Sequence, residues 1–346
     1  MIDWDTLGFN YSPTNGIVYS HCIDGVWEEP SVSEDFKIEL HPFAGILHYS
    51  QSCFEGLKVF KGVDGKVRMF RPERNAARMA DSARYLDMPY PSTDLFIEMC
   101  IRCVEYNFEH IPPHEAAASS LYLRPVLFGI NSQLGIHSAR DVMFIVMSSP
   151  VSTYSGAERL STQKALISRN YDRASAFGSG RYKLGANYAQ SLKAYSTAHA
   201  AGYDELLFLD SATKTSIEEF GSSNFFAIRG NSYITPSSNS VLPSITNDCL
   251  RRVASDMGMD VQVRPIPLSE MDTFEEVNSC GTAVVISPIG ILDDRPYLES
   301  PILTRRYTFG DPRRCGPVSE KLYHKIVGIQ KGLEEDVYGW CKVLDL

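Results

Sequence analysis

Between Pro150 and Tyr182 the alternation of apolar helices and strands that fills the rest of this chain stops. Ser, Thr, Gly and Arg dominate the stretch, and Gly178 and Gly180 close it. Punctuation of this kind separates hydrophobic cores rather than building one. A chain of 346 residues is also too long for a single ordinary core. The break therefore predicts two domains, residues 1–156 and 171–346, joined by a connection over residues 157–170. Each half mixes helix and strand, an α+β organisation, and a ligand site is expected in the cleft between them.

Periodicity supplies the elements on either side. Residues 72–88 read as a helix, with Pro72 in the first turn and Ala76, Ala77, Met79, Ala80, Ala83 and Leu86 mostly at helical spacing. Residues 95–108 read as a second helix. The β-rich apolar run 142–147 reads as a buried strand. Residues 187–201 form an Ala-rich pattern that Gly202 stops. Strands follow at 205–209 and 224–228, then a helix over 245–257 ended by Gly258, and a strand at 283–286.

Charge and composition narrow the partners. Hydrophobic residues make up 44% and charged residues 22%, as in an ordinary globular protein. The net charge of −9 argues against nucleic acid and anionic membrane surfaces. It leaves room for an anionic small molecule, because one well-placed Arg overrides the average field. No apolar run approaches the ~20 residues that span a bilayer. The opening Met1-Ile2-Asp3-Trp4-Asp5 lacks the basic-then-apolar pattern of a secretory leader. With eight scattered cysteines, this predicts a reducing, cytoplasmic setting. Cys100 and Cys103 share one side of the second helix, but no second pair or neighbouring His completes a metal set, so no metal is expected.

Several residues carry possible chemistry. Gly178-Ser-Gly180-Arg-Tyr-Lys183 looks like a nucleotide loop but lacks the third glycine of a dinucleotide loop and the Gly-Lys-Ser/Thr of a phosphate loop. Lys183 is followed by Leu-Gly-Ala-Asn-Tyr-Ala, a small and mostly apolar frame. Loss of solvation there favours a neutral amine able to form a Schiff base, whereas a surface lysine at a strand end is the alternative. Glu219 stands just ahead of an apolar strand, open to a ligand or to a plain strand entry. Leu242-Pro-Ser-Ile-Thr246 leads into a helix whose free amides and dipole favour a phosphate, while Ser244 or Thr246 can equally be an N-cap. Arg78 lies inside the first helix, where it can reach a phosphate or form an ion pair. Tyr122 and Arg124 alternate on a strand and so share a face, and an Arg on such a face can grip a carboxylate with two bonds.

These pieces, in this order, resemble the fold type IV pyridoxal-phosphate (PLP) enzymes of the D-amino acid aminotransferase-like class, most closely the branched-chain amino acid aminotransferases. The resemblance runs through Leu47-His-Tyr-Ser-Gln-Ser-Cys-Phe-Glu-Gly-Leu57, Phe70-Arg-Pro72, Leu121-Tyr-Leu-Arg-Pro125, Tyr182-Lys-Leu-Gly-Ala-Asn-Tyr-Ala189, residues 219–226, 242–246 and Ser279-Cys-Gly-Thr-Ala283. It continues into Gly316-Pro-Val, residues 323–330 and Gly339-Trp340, nearly the whole chain. It implies transamination of Leu, Ile and Val with 2-oxoglutarate. D-amino acid aminotransferases and aminodeoxychorismate lyases resemble the PLP half but not the Phe-Glu-Gly-Leu segment.

By position, the resemblance gives Lys183 the Schiff base with PLP and the proton transfer at the substrate carbon. Tyr188 would hydrogen-bond the cofactor's phenolic oxygen and Glu219 would pair with its ring nitrogen. Arg78, the Ile245 and Thr246 amides and the Thr282 hydroxyl would hold the phosphate, with Ser222 close by. The turn at Thr282 and Ala283, with Tyr122, would receive the substrate α-carboxylate. Phe54 would wall an apolar pocket together with Tyr49, Leu134 and Ile136 from a partner subunit, which implies a homodimer with shared sites. Arg124 would meet the distal carboxylate of glutamate. Some positions depart from the family pattern. Ser222 and Ser244 stand where glycine is common, and Asn247 replaces a basic residue. Val284 and Ser287 occupy the positions of a redox Cys pair in mammalian members.

Overall fold

The computed structural model describes residue 4 and residues 7–116, 119–152 and 160–346. Most of the opening residues read for a leader, and residues 157–159 of the expected connection, lie outside these. The chain divides into two compact units. The first comprises Met1–Gly156, Tyr182–Ala186 and Gly328–Leu346, and the second Ala157–Arg181 and Asn187–Val327. Each carries its own sheet with helices, and the whole is an α+β fold. Among the described residues no helix is long and apolar enough to cross a membrane.

The sheet of the first unit has nine antiparallel strands among the described residues. Its main path runs Cys341–Leu344, Val67–Phe70, Leu57–Lys61, Ser120–Gly129, Val142–Val151, Ile17–Ile23 and Val26–Trp27. Ser52–Phe54 also pairs with Ser120–Gly129, so that Phe54 stands opposite Val126. Along Ser120–Gly129 burial alternates: Leu121 and Leu123 point into the core, Tyr122 and Arg124 to the other face. The helices Pro72–Tyr85 and Thr93–Tyr106 cover the core face. Met79, Ala83, Phe96, Met99, Cys100, Cys103 and Val104 pack there with Leu121, Leu123 and Phe144, so Cys100 and Cys103 are buried packing residues.

In the second unit ten strands form a mixed sheet among the described residues. Gln163–Ser168, inside the stretch read as a connection, is one of them and runs parallel to Glu205–Leu209 and Val285–Asp294. Two tight turns matter most. Gly221 to Ser223 joins Ser216–Phe220 to Asn224–Arg229, and Thr282 to Val284 joins Glu276–Gly281 to Val285–Asp294. Asn224 pairs with Cys280, which sets the two turns side by side at one sheet end. Val285 closes the second turn at φ 61°, a left-handed conformation that a β-branched residue adopts only when its surroundings impose it.

The single helix expected over residues 187–201 is two, Gly185–Ala189 and Leu192–Ala200. The cause is local. Both the amide and the hydroxyl of Ser191 bond to Tyr188 O, at 3.2 Å and 2.9 Å, a side-chain closure that competes with the helical ladder. The strand expected at 283–286 begins at Val285, because Thr282 to Val284 make the turn.

Candidate active site

Two groups of polar side chains stand out, one in each unit. In the first, the backbone of Lys183 is held from both sides. Its amide donates to Ser82 Oγ at 3.0 Å and its carbonyl accepts from Phe54 N at 3.1 Å. Leu184 bridges Cys53, and Tyr182 stacks on Tyr85 at 4.2 Å. The lysine is thereby fixed to the end of the strand Ser52–Phe54 and to the last turns of the helix Pro72–Tyr85. Its Nζ lies 4.7 Å from the centre of the Phe54 ring. Arg124 lies over the same ring at 4.9 Å and over Tyr122 at 5.4 Å. The structure thus gathers Lys183, Phe54, Tyr122 and Arg124.

The Phe-Glu-Gly-Leu segment has a physical explanation. Glu55 is fully buried and takes both Nε and Nη2 of Arg78 at 2.7 Å, a two-bond fork. Asn75 Nδ2 adds a third bond at 2.8 Å. Gly56 leaves the space that the Tyr122 phenol fills, since a Cβ there would collide with it. Arg78 is therefore both oriented and charge-balanced by Glu55, a residue that pattern alone did not single out.

Tyr122 and Arg124 line a cavity of about 230 Å3. Its other walls include Phe9, Tyr11, Phe36 and Met147, none of which sequence reasoning placed there. Arg124 Nε is buried without a hydrogen-bond partner among the described residues. Tyr49, Leu134 and Ile136 form a group of their own. Tyr49 Oη donates to Leu134 O at 2.5 Å, and Leu134 and Ile136 are 77% and 86% exposed.

In the second unit Glu219 is the focus. It is 3% exposed, and both of its oxygens are engaged. Leu242 N donates to Oε1 at 3.0 Å and Asn224 Nδ2 to Oε2 at 2.6 Å. Arg173 Nη2 stands 2.8 Å from Oε1. Burial pushes the Glu219 carboxyl up, against the Arg173 charge and these hydrogen bonds, which pull it down. Asn224 Oδ1 in turn accepts from Asn247 Nδ2 at 3.1 Å, and Asn247 Oδ1 accepts from Tyr233 Oη at 3.0 Å. The residue replacing the family's basic one is thus built into a buried polar chain that ends on Glu219.

Three amide-rich segments surround this carboxylate's strand. Ser244 caps the helix Ile245–Asp256, its Oγ accepting from Asn247 N at 3.1 Å, which leaves Ile245 and Thr246 in the first turn, where amides lack intrahelical acceptors. Ser222 lies in the first tight turn. Ser223 packs beside Gly281, the last residue before the second turn, and its Oγ is buried without a partner among the described residues. Thr282 and Ala283 form that second turn, both half-buried. Tyr188 is half-buried in the helix Gly185–Ala189. A helix start, two turns and an orphaned hydroxyl on one sheet end make an anion-binding set, with a buried carboxylate next to it.

The amino-transferase class IV family model matches residues 52–291, most of the chain and all but the ends of this machinery. A branched-chain-amino-acid aminotransferase of Haemophilus influenzae is 36% identical, covering 98% of both chains. Among solved structures, the branched-chain amino acid aminotransferase of Escherichia coli superposes with a TM-score of 0.76 at 27% identity, covering 95% of this chain and 99% of its own. The enzyme of Thermobaculum terrenum, solved in its PLP form, gives a TM-score of 0.77 over 96% and 99% of the two chains and, at 23% identity, shows the shared fold. From the family match and the near-full-length relatives together, the chain belongs to the class IV aminotransferases.

Proposed function

We infer that this enzyme moves amino groups between the branched-chain L-amino acids Leu, Ile and Val and 2-oxoglutarate, with PLP carried by Lys183. The observation that carries the substrate reading is Arg124. A guanidinium whose buried Nε has no partner among the described residues stands at a mostly aromatic and apolar cavity that also includes Asn10, Ser148 and Ser149. A transaminase that alternates between leucine and glutamate needs that combination: apolar walls for one side chain and a paired cation for the distal carboxylate of the other. The relatives named as branched-chain aminotransferases over nearly the full length agree with it.

The residues fit PLP. An anion-binding sheet end with the orphaned Ser223 hydroxyl suits a phosphate, and a buried, hydrogen-bonded carboxylate suits a protonated ring nitrogen. Bound there, PLP supplies an electron sink for the bonds of the substrate's α-carbon. Arg78, Ile245, Thr246, Thr282 and Ser222 are assigned to the phosphate, Glu219 to the ring nitrogen and Tyr188 to the phenolic oxygen. Lys183 moves the proton at the α-carbon, and its clamped backbone restricts where the amine can reach. Tyr122 and the turn at Thr282 and Ala283 receive the α-carboxylate. Tyr49, Leu134 and Ile136 serve the pocket of a second copy in a homodimer, in keeping with the exposure of Leu134 and Ile136. The enzyme is assigned to the cytoplasm.

Reduction of the PLP-loaded protein with borohydride, followed by peptide mass mapping, tests the anchor. The peptide containing Lys183 should carry the pyridoxyl group, and Lys183→Ala should show none. Labelling of another lysine in the wild type would reject the assignment. Sedimentation of the unreduced, PLP-loaded protein at concentrations where it is active should give a dimer or a multiple of it, and a fully active monomer would reject the shared pocket.

A further inference from the structure

Arg173 lies in the stretch that separates the two apolar halves of the sequence, yet its side chain is among the most buried cations of the protein, 7% exposed. Nη2 donates to the carbonyls of Gly180, at 3.0 Å, and Ser240. A primary guanidinium nitrogen has two hydrogens, so both are used. The 2.8 Å approach of the same nitrogen to Glu219 Oε1 is therefore an attraction of charges. Gly180 is required for this arrangement, because a Cβ there would stand 2.9 Å from Nη2 and closer still to Ser240 O. Gln190 Nε2 bonds the carbonyl of Arg173 and fixes its backbone.

We propose that Arg173 is a positioning residue that holds Glu219 as a carboxylate by its charge. The proposal rests on the assignment of Glu219 to the ring nitrogen. A lone carboxylate at this depth takes a proton rather than stay charged and dry. The other groups facing it do not supply a counter-charge. Glu218, the next residue on the strand, is acidic and occupied by the hydroxyls of Ser238 and Ser240. Cys280, on the neighbouring strand, is a thiol that burial pushes up and keeps neutral. Asn224 and the Leu242 amide donate hydrogen bonds without charge. Arg173 is thus the cation within contact distance among the described residues. By spending both Nη2 hydrogens on carbonyls, it leaves the lone pairs of Oε1 and Oε2 less occupied than a forked pair would. The carboxylate stays ionised and can still accept a bond from the cofactor ring.

The test is infrared difference spectroscopy of the full chain, each protein subtracted from its own Glu219→Gln partner so that only the Glu219 carboxyl appears. At pH 7 the wild type should show an ionised carboxylate. Arg173→Gln, which keeps donors for Gly180 and Ser240 but removes the charge, should show the protonated carboxyl band, with its disappearance moved up by a pH unit or more, a tenfold change in proton affinity. Arg173→Lys should restore the ionised form. In turnover, Arg173→Gln should cost at least about tenfold in kcat alone and less than twofold on the Glu219→Gln background, the signature of action through that carboxyl. An ionised Glu219 in Arg173→Gln would overturn the proposal and leave the role of Glu219 untouched. A Glu219→Gln variant with wild-type kcat would instead overturn that role while the infrared result stood.

Discussion

Arg124 shows how a single side chain can set what a pocket accepts. Its strand neighbour Tyr122 and the ring of Phe54 hold the guanidinium between aromatic faces, and Nε has no hydrogen-bond partner among the described residues. An incoming distal carboxylate satisfies that group, whereas a leucine side chain never calls on it. Arg124→Met should weaken glutamate and 2-oxoglutarate use by about 2–4 kcal/mol in kcat/KM, as expected for truncating one member of a buried charge pair. Leucine use should fall much less. Single half-reactions with each amino acid read the difference, and equal losses would mean that Arg124 serves the α-carboxylate or merely supports the strand. The sequence made this residue visible through the period of two along residues 121–125. It gave Glu55 no role of its own and Arg173 none at all, because a charged residue reads as solvated until its buried partner is known.

At the level of elements, the long helices and apolar strands were legible because periodicity and propensity agree with burial. Pro72–Tyr85 and Ile245–Asp256 lie where the spacing puts them. The break at Ser191 and the strand Gln163–Ser168 were not. The first depends on one side-chain bond, and the second on partners far along the chain, Glu205–Leu209 and Val285–Asp294. The turn at Gly221 also depends on tertiary contacts. A Cβ at Gly221 would strike the Tyr195 phenol, which bonds Glu205 Oε1 at 2.6 Å. Burial pushes the Glu205 carboxyl up to about 6 from an ordinary 4.5. The folded state thus holds this proton at pH values where the unfolded chain has released it. The resulting stability is complete below about pH 4.5 and is lost as pH rises through 6, on the order of 2 kcal/mol. Glu205→Gln removes this titration. Urea unfolding at pH 5 and pH 7.5 should show the wild type losing about 1–2 kcal/mol more than the variant across that interval. Parallel losses would place the Glu205 proton elsewhere.

For the whole molecule, the ordered run of weak motifs proved more informative than any single one. The dinucleotide-like glycines at 178 and 180 lack the further residues that a nucleotide loop needs. Gly180 makes room for Arg173 and Ser240, a packing demand invisible without the fold. The walls of the cavity come from segments as distant as Phe9, Phe36 and Met147, which no local pattern links. The central claim is that these parts make a branched-chain aminotransferase. Its most direct test is to load the purified protein with PLP, add L-leucine without any oxo acid, and count 4-methyl-2-oxopentanoate by chromatography. The account predicts about one equivalent per active site, continuous turnover once 2-oxoglutarate is added, and no oxo acid from D-alanine. Production of pyruvate from D-alanine with none of the branched oxo acid from leucine would contradict it.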